Sequence, residues 1–166
     1  ARTNEAGVAK FTSLSAHEPT EIAVDPDTLP DPFWQPSIAG MAVATRTGSV
    51  SRLEFPVVAT GEIDGTVFYE TSEGAKEPLA NVQLEIQDEN GASVQTITSE
   101  YDGFYLFEKV FPGTYTLLVH SEDPKLKELT AGLQREVVIG NDGTIARGND
   151  IVLRAPGSGS QSKSAP

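Results

Sequence analysis

Few residues in this chain have the type and spacing that chemistry needs. It carries two histidines, His17 and His120, and no cysteine, which excludes a disulfide framework, a thiolate metal site and a cysteine nucleophile. His17 lies in a proline-rich segment without strand or helix period. His120 ends the run TYTLLVH, where it shares strand parity with Thr116 and Leu118, opposite Tyr115, Leu117 and Val119. Both histidines are therefore expected to face solvent. An activated serine needs a base and an orienting group, and the nearest look-alike to a nucleophile elbow, Gly157-Ser158-Gly159-Ser160, sits in a tail that cannot hold geometry. Paired carboxylates for glycoside hydrolysis can be drawn at will from 24 acids, so their abundance carries no signal. Oxygen ligands for calcium are available at Asp88, Glu89 and Asn90, at Glu100 and Asp102, and at Asn141 and Asp142. They lack the alternating spacing of a calcium loop, and tight turns require Asp-Gly and Asn-Gly in any case. The sequence thus assigns no catalytic residue, no cofactor and no metal ligand. What it leaves is aromatic: Phe33 and Trp34 beside a proline-rich acidic stretch, and Tyr101 at a turn beside Asp102, are candidate contacts for a protein partner or a glycan.

The elements that position these residues are strands. Of 166 residues, 38% are hydrophobic, and most of these fall after Met41, which suits one domain with flanking segments. The formal net charge of -12 repels phosphate backbones, so nucleic acid is not an expected partner. No apolar run approaches the roughly 20 residues of a membrane helix, and the start at Ala1 reads as a processed protein or an excised fragment.

From Ala1 to Gly40 the prolines at 19, 26, 30, 32 and 36 forbid a long helix and remove strand donors, giving an extended, largely irregular arm. Residues 41–60 read as an accessory β-hairpin around Thr47-Gly48, with Leu53, Phe55 and Val57 on one face. Beyond Gly61, strand signals recur about every ten residues, as in an antiparallel sandwich. Ile63, Val67 and Tyr69 alternate with polar residues, as do Val82, Leu84 and Ile86. Asn90-Gly91 is hairpin chemistry. Asp102-Gly103 and Phe111-Pro112-Gly113-Thr114, the second read as a type II turn with glycine at its third position, predict a three-strand meander. In FYLF both faces are apolar, which predicts a central strand or one covered on both sides by the strands before Gly61. A polar loop with one helical turn at Lys125 to Leu129 follows. Two strands close the domain, with Val137 and Ile139, then Ile151 and Leu153, pointing inward around the turn at Asn141-Asp142-Gly143. Residues 155–166, small and polar, read as a flexible tail.

GEIDGTVF, EPLANVQLEI, DENGASV, TSEYDGFYLFEKVFPGTYTLLV and DIVL together resemble the carboxypeptidase-regulatory-like domain of the transthyretin-like sandwiches, relatives of collagen-adhesin B-type repeats. The resemblance covers about Gly61 to Arg154. A weaker one, from Val24 to Gly61, is to the segment entering such a domain in usher-like bacterial outer-membrane proteins. What this implies is an all-β, seven-stranded antiparallel Greek-key sandwich (61–154) used as a structural or recognition module without chemistry of its own. Stalk-type relatives carry a Lys-Asn isopeptide bond, but residues 61–70 offer no lysine and Lys76 lies in a polar loop, so no crosslink is expected. Enzymes of related folds need several histidines. An iron site drawn from His17, His120 and two of the four tyrosines has no supporting spacing. The resulting expectation is a non-enzymatic assembly or docking module of an extracytoplasmic envelope or surface protein, in the periplasm, at the outer membrane or on the cell surface, joined to a protein partner or to the rest of a larger protein. The alternatives are a carbohydrate-binding module and an accessory domain bracing a catalytic neighbour. Strand addition at an unpaired edge is one route to docking.

Overall fold

The computed structural model describes residues 1–121, 124–130 and 133–154, and the chain divides into two compact units, Ala1–Val57 and Val58–Pro166. Prolines cut the first unit into short pieces: strands β1 (Pro19–Ile22), β2 (Trp34–Pro36) and β3 (Met41–Ala44), with a 3-10 turn at Pro26–Thr28. β1 and β3 pair antiparallel, with Thr20 opposite Val43 and Ile22 opposite Met41. Those four side chains share the half-buried face of the ribbon. No residue of this unit is fully buried.

Within the arm, residues 1–40, β1, β2 and the 3-10 turn are the regular elements and the remainder is irregular. The hairpin expected at 41–60 does not form, although the chain does reverse at Gly48, where φ is 77° and Ser49 N–H donates to Arg46 O at 3.0 Å. Residues 50–56 form no strand. Arg52 and Glu54 pair with each other in solvent at 3.4 Å, and Pro56 has no donor to give a ladder. β3 takes β1 as its partner instead, and Ser37 N–H donates to Pro56 O at 2.9 Å.

β4 (Val57–Ala59) leads into the second unit, which is a sandwich of two sheets. One sheet is formed by β7 (Gln83–Gln87), β8 (Ser93–Thr98), β10 (Gly113–His120) and β11 (Gln134–Ile139), in the order β11-β10-β7-β8. The other is organised on the long β5 (Gly61–Glu70), which pairs with β6 (Lys76–Pro78), β9 (Phe104–Val110), β12 (Ile145–Ala146) and β13 (Ile151–Arg154). A helix, α1 (Pro124–Thr130), lies between β10 and β11 in sequence, where a helical turn was expected. The inward residues follow strand parity: Ile63, Val67, Val82, Leu84, Ile86, Tyr105, Phe107, Leu117, Val119, Val137, Ile139, Ile151 and Leu153 form one buried cluster. This is the all-β sandwich that the alternation predicts.

The paths between strands differ from that prediction. β8, β9 and β10 are not a meander. β8 pairs with β7, β9 with β5, and β10 with β7 and β11, so the chain changes sheet at both turns. Turn residues dictate a reversal but not which sheet receives the next strand. The turn at 111–114 is also not the type II expected, since Gly113 has no positive φ. The left-handed residue is Lys109, at φ 54°, where the β5–β9 register slips between Gly61 and Ile63. β9 is an edge strand rather than a central one, and Phe104 on its outer face stays 37% exposed. The closing strand β13 runs parallel to β5, so this sheet is mixed. The described residues end at Arg154, and the flexible tail expected at 155–166 lies outside them.

Candidate functional site

Three of the acids that might have bound a cation, Asp88, Asp102 and Asp142, are engaged in holding turns. Asp88 Oδ1 accepts the N–H groups of Asn90 and Ala92 at 2.9 Å each. These bonds, led by the Ala92 N–H, hold its carboxyl below the usual range. Asp102 Oδ1 accepts Phe104 N–H at 3.1 Å. The Thr144 hydroxyl donates to Asp142 Oδ1 at 2.5 Å and is the main cause of that carboxyl's lowered pKa. Gly91, Gly103 and Gly143 occupy left-handed conformations in these turns, as the Asn-Gly and Asp-Gly pairs require. Among the described residues, no cluster of three or more His, Asp or Glu is placed to hold a metal.

The side chains of His120, Tyr105 and Tyr115 are likewise engaged in contacts within the sandwich. His120 is half-exposed on the outer face of its sheet, and its Nε2 lies 3.1 Å from Glu85 Oε2. Gln87 Nε2 donates to Glu85 Oε1 at 2.9 Å, and this bond comes first among the causes that lower the Glu85 pKa. His17 belongs to the first unit, where its backbone N–H donates to Thr45 O at 2.8 Å. Tyr105 and Tyr115 donate their hydroxyls to Asn149 O (2.6 Å) and Phe111 O (2.8 Å). Burial pushes both phenols up.

Of the aromatic candidates, Phe33 and Trp34 are presented by a turn. Asp31 Oδ1 accepts Phe33 N–H at 2.8 Å, Asp31 O accepts Trp34 N–H at 3.1 Å, and both rings stay about two-fifths exposed. Tyr101 sits in the second unit at the tip of the Glu100–Gly103 turn, 88% exposed. The three do not lie in one unit: Phe33 and Trp34 belong to the first and Tyr101 to the second.

Sequence reasoning missed a polar joint at the end of the sandwich. The loop between β12 and β13 is tied to β5 through Asp64, whose backbone O accepts Asn149 N–H at 2.9 Å and whose Oδ1 accepts Gly148 N–H, also at 2.9 Å. Asp150 Oδ1 accepts Thr66 N–H at 3.0 Å. A Cβ on Gly65 would meet the Asn149 carbonyl and the Tyr105 hydroxyl at 2.8 Å, and one on Gly61 would overlap the Thr144 carbonyl. The glycines of GEIDG were the available signal. A second joint is Ser99, buried at the end of β8, which donates to Leu79 O (2.9 Å) and accepts Val82 N–H (3.0 Å).

The two strand edges that meet on one side of the sandwich are treated differently. On β9, Phe104 N–H is taken by Asp102, Phe104 O by Glu100 N–H at 2.8 Å, and Glu108 O by Gln95 Nε2 at 3.0 Å. β8 pairs with β7 alone. Ser99 N–H donates to Val82 O, and the two-residue alternation from there turns the backbone groups of Ile97 toward β7 and those of Thr96 and Thr98 outward.

Two packed sheets with hydrogen-bonded turns and joints define the class, a β-sandwich domain. Residues 58–152 match the family described as BOS complex subunit NOMO1-like, second beta sandwich domain, and the chain belongs to that family. A 44-residue stretch is 43% identical to colossin-A of Dictyostelium discoideum, covering 26% of this chain and, to the nearest percent, 0% of that protein. Among solved structures, the minor pilin GBS52 of Streptococcus agalactiae is similar at 18% identity and a TM-score of 0.49, over 78% of this chain and 63% of that one. The pilus adhesin RrgA of Streptococcus pneumoniae is similar at 25% identity and a TM-score of 0.41, over 52% of this chain and 10% of that one. The chain thus spans less than two thirds of each of these relatives. No helix among the described residues is long and apolar enough to cross a membrane.

Proposed function

We propose that this chain is a non-catalytic structural module of an extracytoplasmic or cell-surface protein and serves assembly or docking. The observation that carries the reading is the pairing of a self-sufficient core with an unprotected strand edge. The core is built from β5, β7, β9, β10, β11 and β13, with Ile97 of β8 packed against it, while β8 keeps outward-facing backbone groups that nothing in its own sheet uses. The family is named for a subunit of a complex, which supports an assembly role. In this reading residues 61–154 are a sandwich of the carboxypeptidase-regulatory-like kind, 1–60 the segment leading into it, 155–166 a linker, and the setting a bacterial envelope. Phe33, Trp34 and Tyr101 are contact residues for a protein partner.

The test uses the native, full-length protein in its own cells. Intact cells are labelled with a membrane-impermeant amine reagent, and the protein is run on native gels with and without residues 58–154. The expected result is surface labelling together with an assembly that collapses when the sandwich is removed. Protection from the reagent, or an assembly indifferent to the deletion, would overturn the reading.

A further inference from the structure

The free edge of β8 has a chemistry that narrows what can lie on it. Its sequence, SVQTIT, is uncharged, without proline, and rich in β-branched residues, which is the composition of a strand ready to extend a sheet. By register Thr96 and Thr98 turn two N–H donors and two carbonyl acceptors away from β7, while the neighbouring edge of β9 is occupied by Asp102, Glu100 and, from β8 itself, the side chain of Gln95. On the far side of the sandwich, α1 lies against β13 and β12 against β11. Sheet extension is therefore open at β8.

Charge selects the occupant. Between Lys76 and Lys109 the chain has seven carboxylates and no lysine, arginine or histidine. Two of them, Asp88 and Glu89, lie at the turn before β8, and two more, Glu100 and Asp102, at the turn after it. A second copy of this chain would bring those acids against their own counterparts, which costs attraction at close range. A segment with cations at both ends meets them favourably. The six residues of β8 span roughly 20 Å, so the cations belong about six residues apart.

We propose that β8 accepts, by strand addition, an extended partner segment with a β-branched uncharged centre and a lysine or arginine at each end. This rests on the docking reading above and names the partner chemistry for it. The partner's backbone adds a strand beside Thr96 and Thr98, its basic ends face the two acidic turns, and Tyr101 at the second turn supplies an exposed ring against the segment's flank.

The probe is a fluorescein-labelled peptide, Lys-Val-Thr-Val-Thr-Val-Lys, titrated by anisotropy against the full chain, beside a version with glutamate at both ends. The lysine-ended peptide is expected to bind at least about tenfold more tightly than the glutamate-ended one, and more weakly at high salt. T96P removes an outward donor without touching the ladder to β7, and is expected to cut binding at least about tenfold. If T96P fails to fold, the double variant E89K/E100K carries the test, since it should exchange the preference between the two peptides. No binding at about 1 mM, equal binding of both peptides, binding unmoved by T96P in a folded chain, or a preference unmoved by E89K/E100K would overturn the proposal. Self-association that T96P abolishes would overturn it as well, by making a second copy the occupant. If the peptide fails while the native assembly still depends on residues 58–154, the docking role stands and only its seat on β8 falls.

Discussion

Replacing Gly65 with alanine probes the joint that closes the sandwich. Gly65 has no positive φ, so alanine meets no backbone penalty there and should gain about 0.4–1 kcal/mol by restricting the unfolded chain. Space opposes it. The new methyl would lie 2.8 Å from the carbonyl carbon and oxygen of Asn149 and from the Tyr105 hydroxyl, roughly 0.6 Å inside ordinary contact. Neither neighbour can retreat cheaply. Asn149 is pinned through its N–H to Asp64 O and its Nδ2 to Ala146 O, and Tyr105 is a buried ring whose hydroxyl is tied to Asn149 O. Overpacking of this kind costs about 1–3 kcal/mol, and loosening the tyrosine bond about 1 kcal/mol more. The net expectation is a loss of about 2–3 kcal/mol, a fall in Tm of roughly 10–20 °C for a domain of this size. Y105F alone should lose about 1 kcal/mol. The double variant should lose less than the sum, since the hydroxyl is both a clashing atom and the hydrogen bond that the clash disturbs. Differential scanning calorimetry of the full chain and the three variants reads this directly. A G65A variant as stable as the parent, or more so, would refute the close approach.

Other substitutions test the faces and the second joint. Phe107→Ala, at a fully buried position, should cost about 3–5 kcal/mol in urea unfolding, whereas Phe104→Ala on the outer face of the same strand should cost less than about 1 kcal/mol. Comparable losses would mean that both faces of β9 are covered. Ser99→Ala strands Val82 N–H and Leu79 O and should cost about 1–3 kcal/mol, with Ser99→Thr partly restoring it. The folded state lowers the pKa of Glu85, Asp88 and Asp142, so their contribution is complete above the ordinary carboxylate range and is lost as pH falls through the lowered folded values. Tm should therefore be level from about pH 7 to 5 with respect to these groups and decline below about pH 4. D142N should flatten that decline, and an unchanged acid slope would remove Asp142 from the account.

Much of the sandwich was legible because burial and strand parity are the same information. Ile63 and Val67, Leu84 and Ile86, and Leu117 and Val119 alternate with polar residues and are buried as pairs. Asn90-Gly91 likewise forms its hairpin between β7 and β8. Sheet membership was not legible. Asp102-Gly103 and Phe111-Pro112-Gly113 specify reversals, and a reversal suits a hairpin and a change of sheet equally well. What decides is non-local: Tyr105 and Phe107 are buried beside Gly65 and Ile63, and no turn residue encodes that partner. The hairpin expected at 41–60 failed for a related reason, since β3 found its partner some twenty residues back, in the proline-rich arm. At the candidate site, the exposure of Tyr101 could be read from its place in a turn. The open edge of β8 could not, because it exists only where the next strand leaves for the other sheet.

Strand β8 is the last of its sheet, paired with β7 alone. Amide hydrogen exchange across residues 93–99, followed by NMR, tests it most directly. The predicted result is an alternation, with the Ile97 and Ser99 amides protected through β7 and the Thr96 and Thr98 amides exchanging orders of magnitude faster. Uniform protection across the four would mean that β8 is paired on both sides, as in a continuous meander, and would contradict the account.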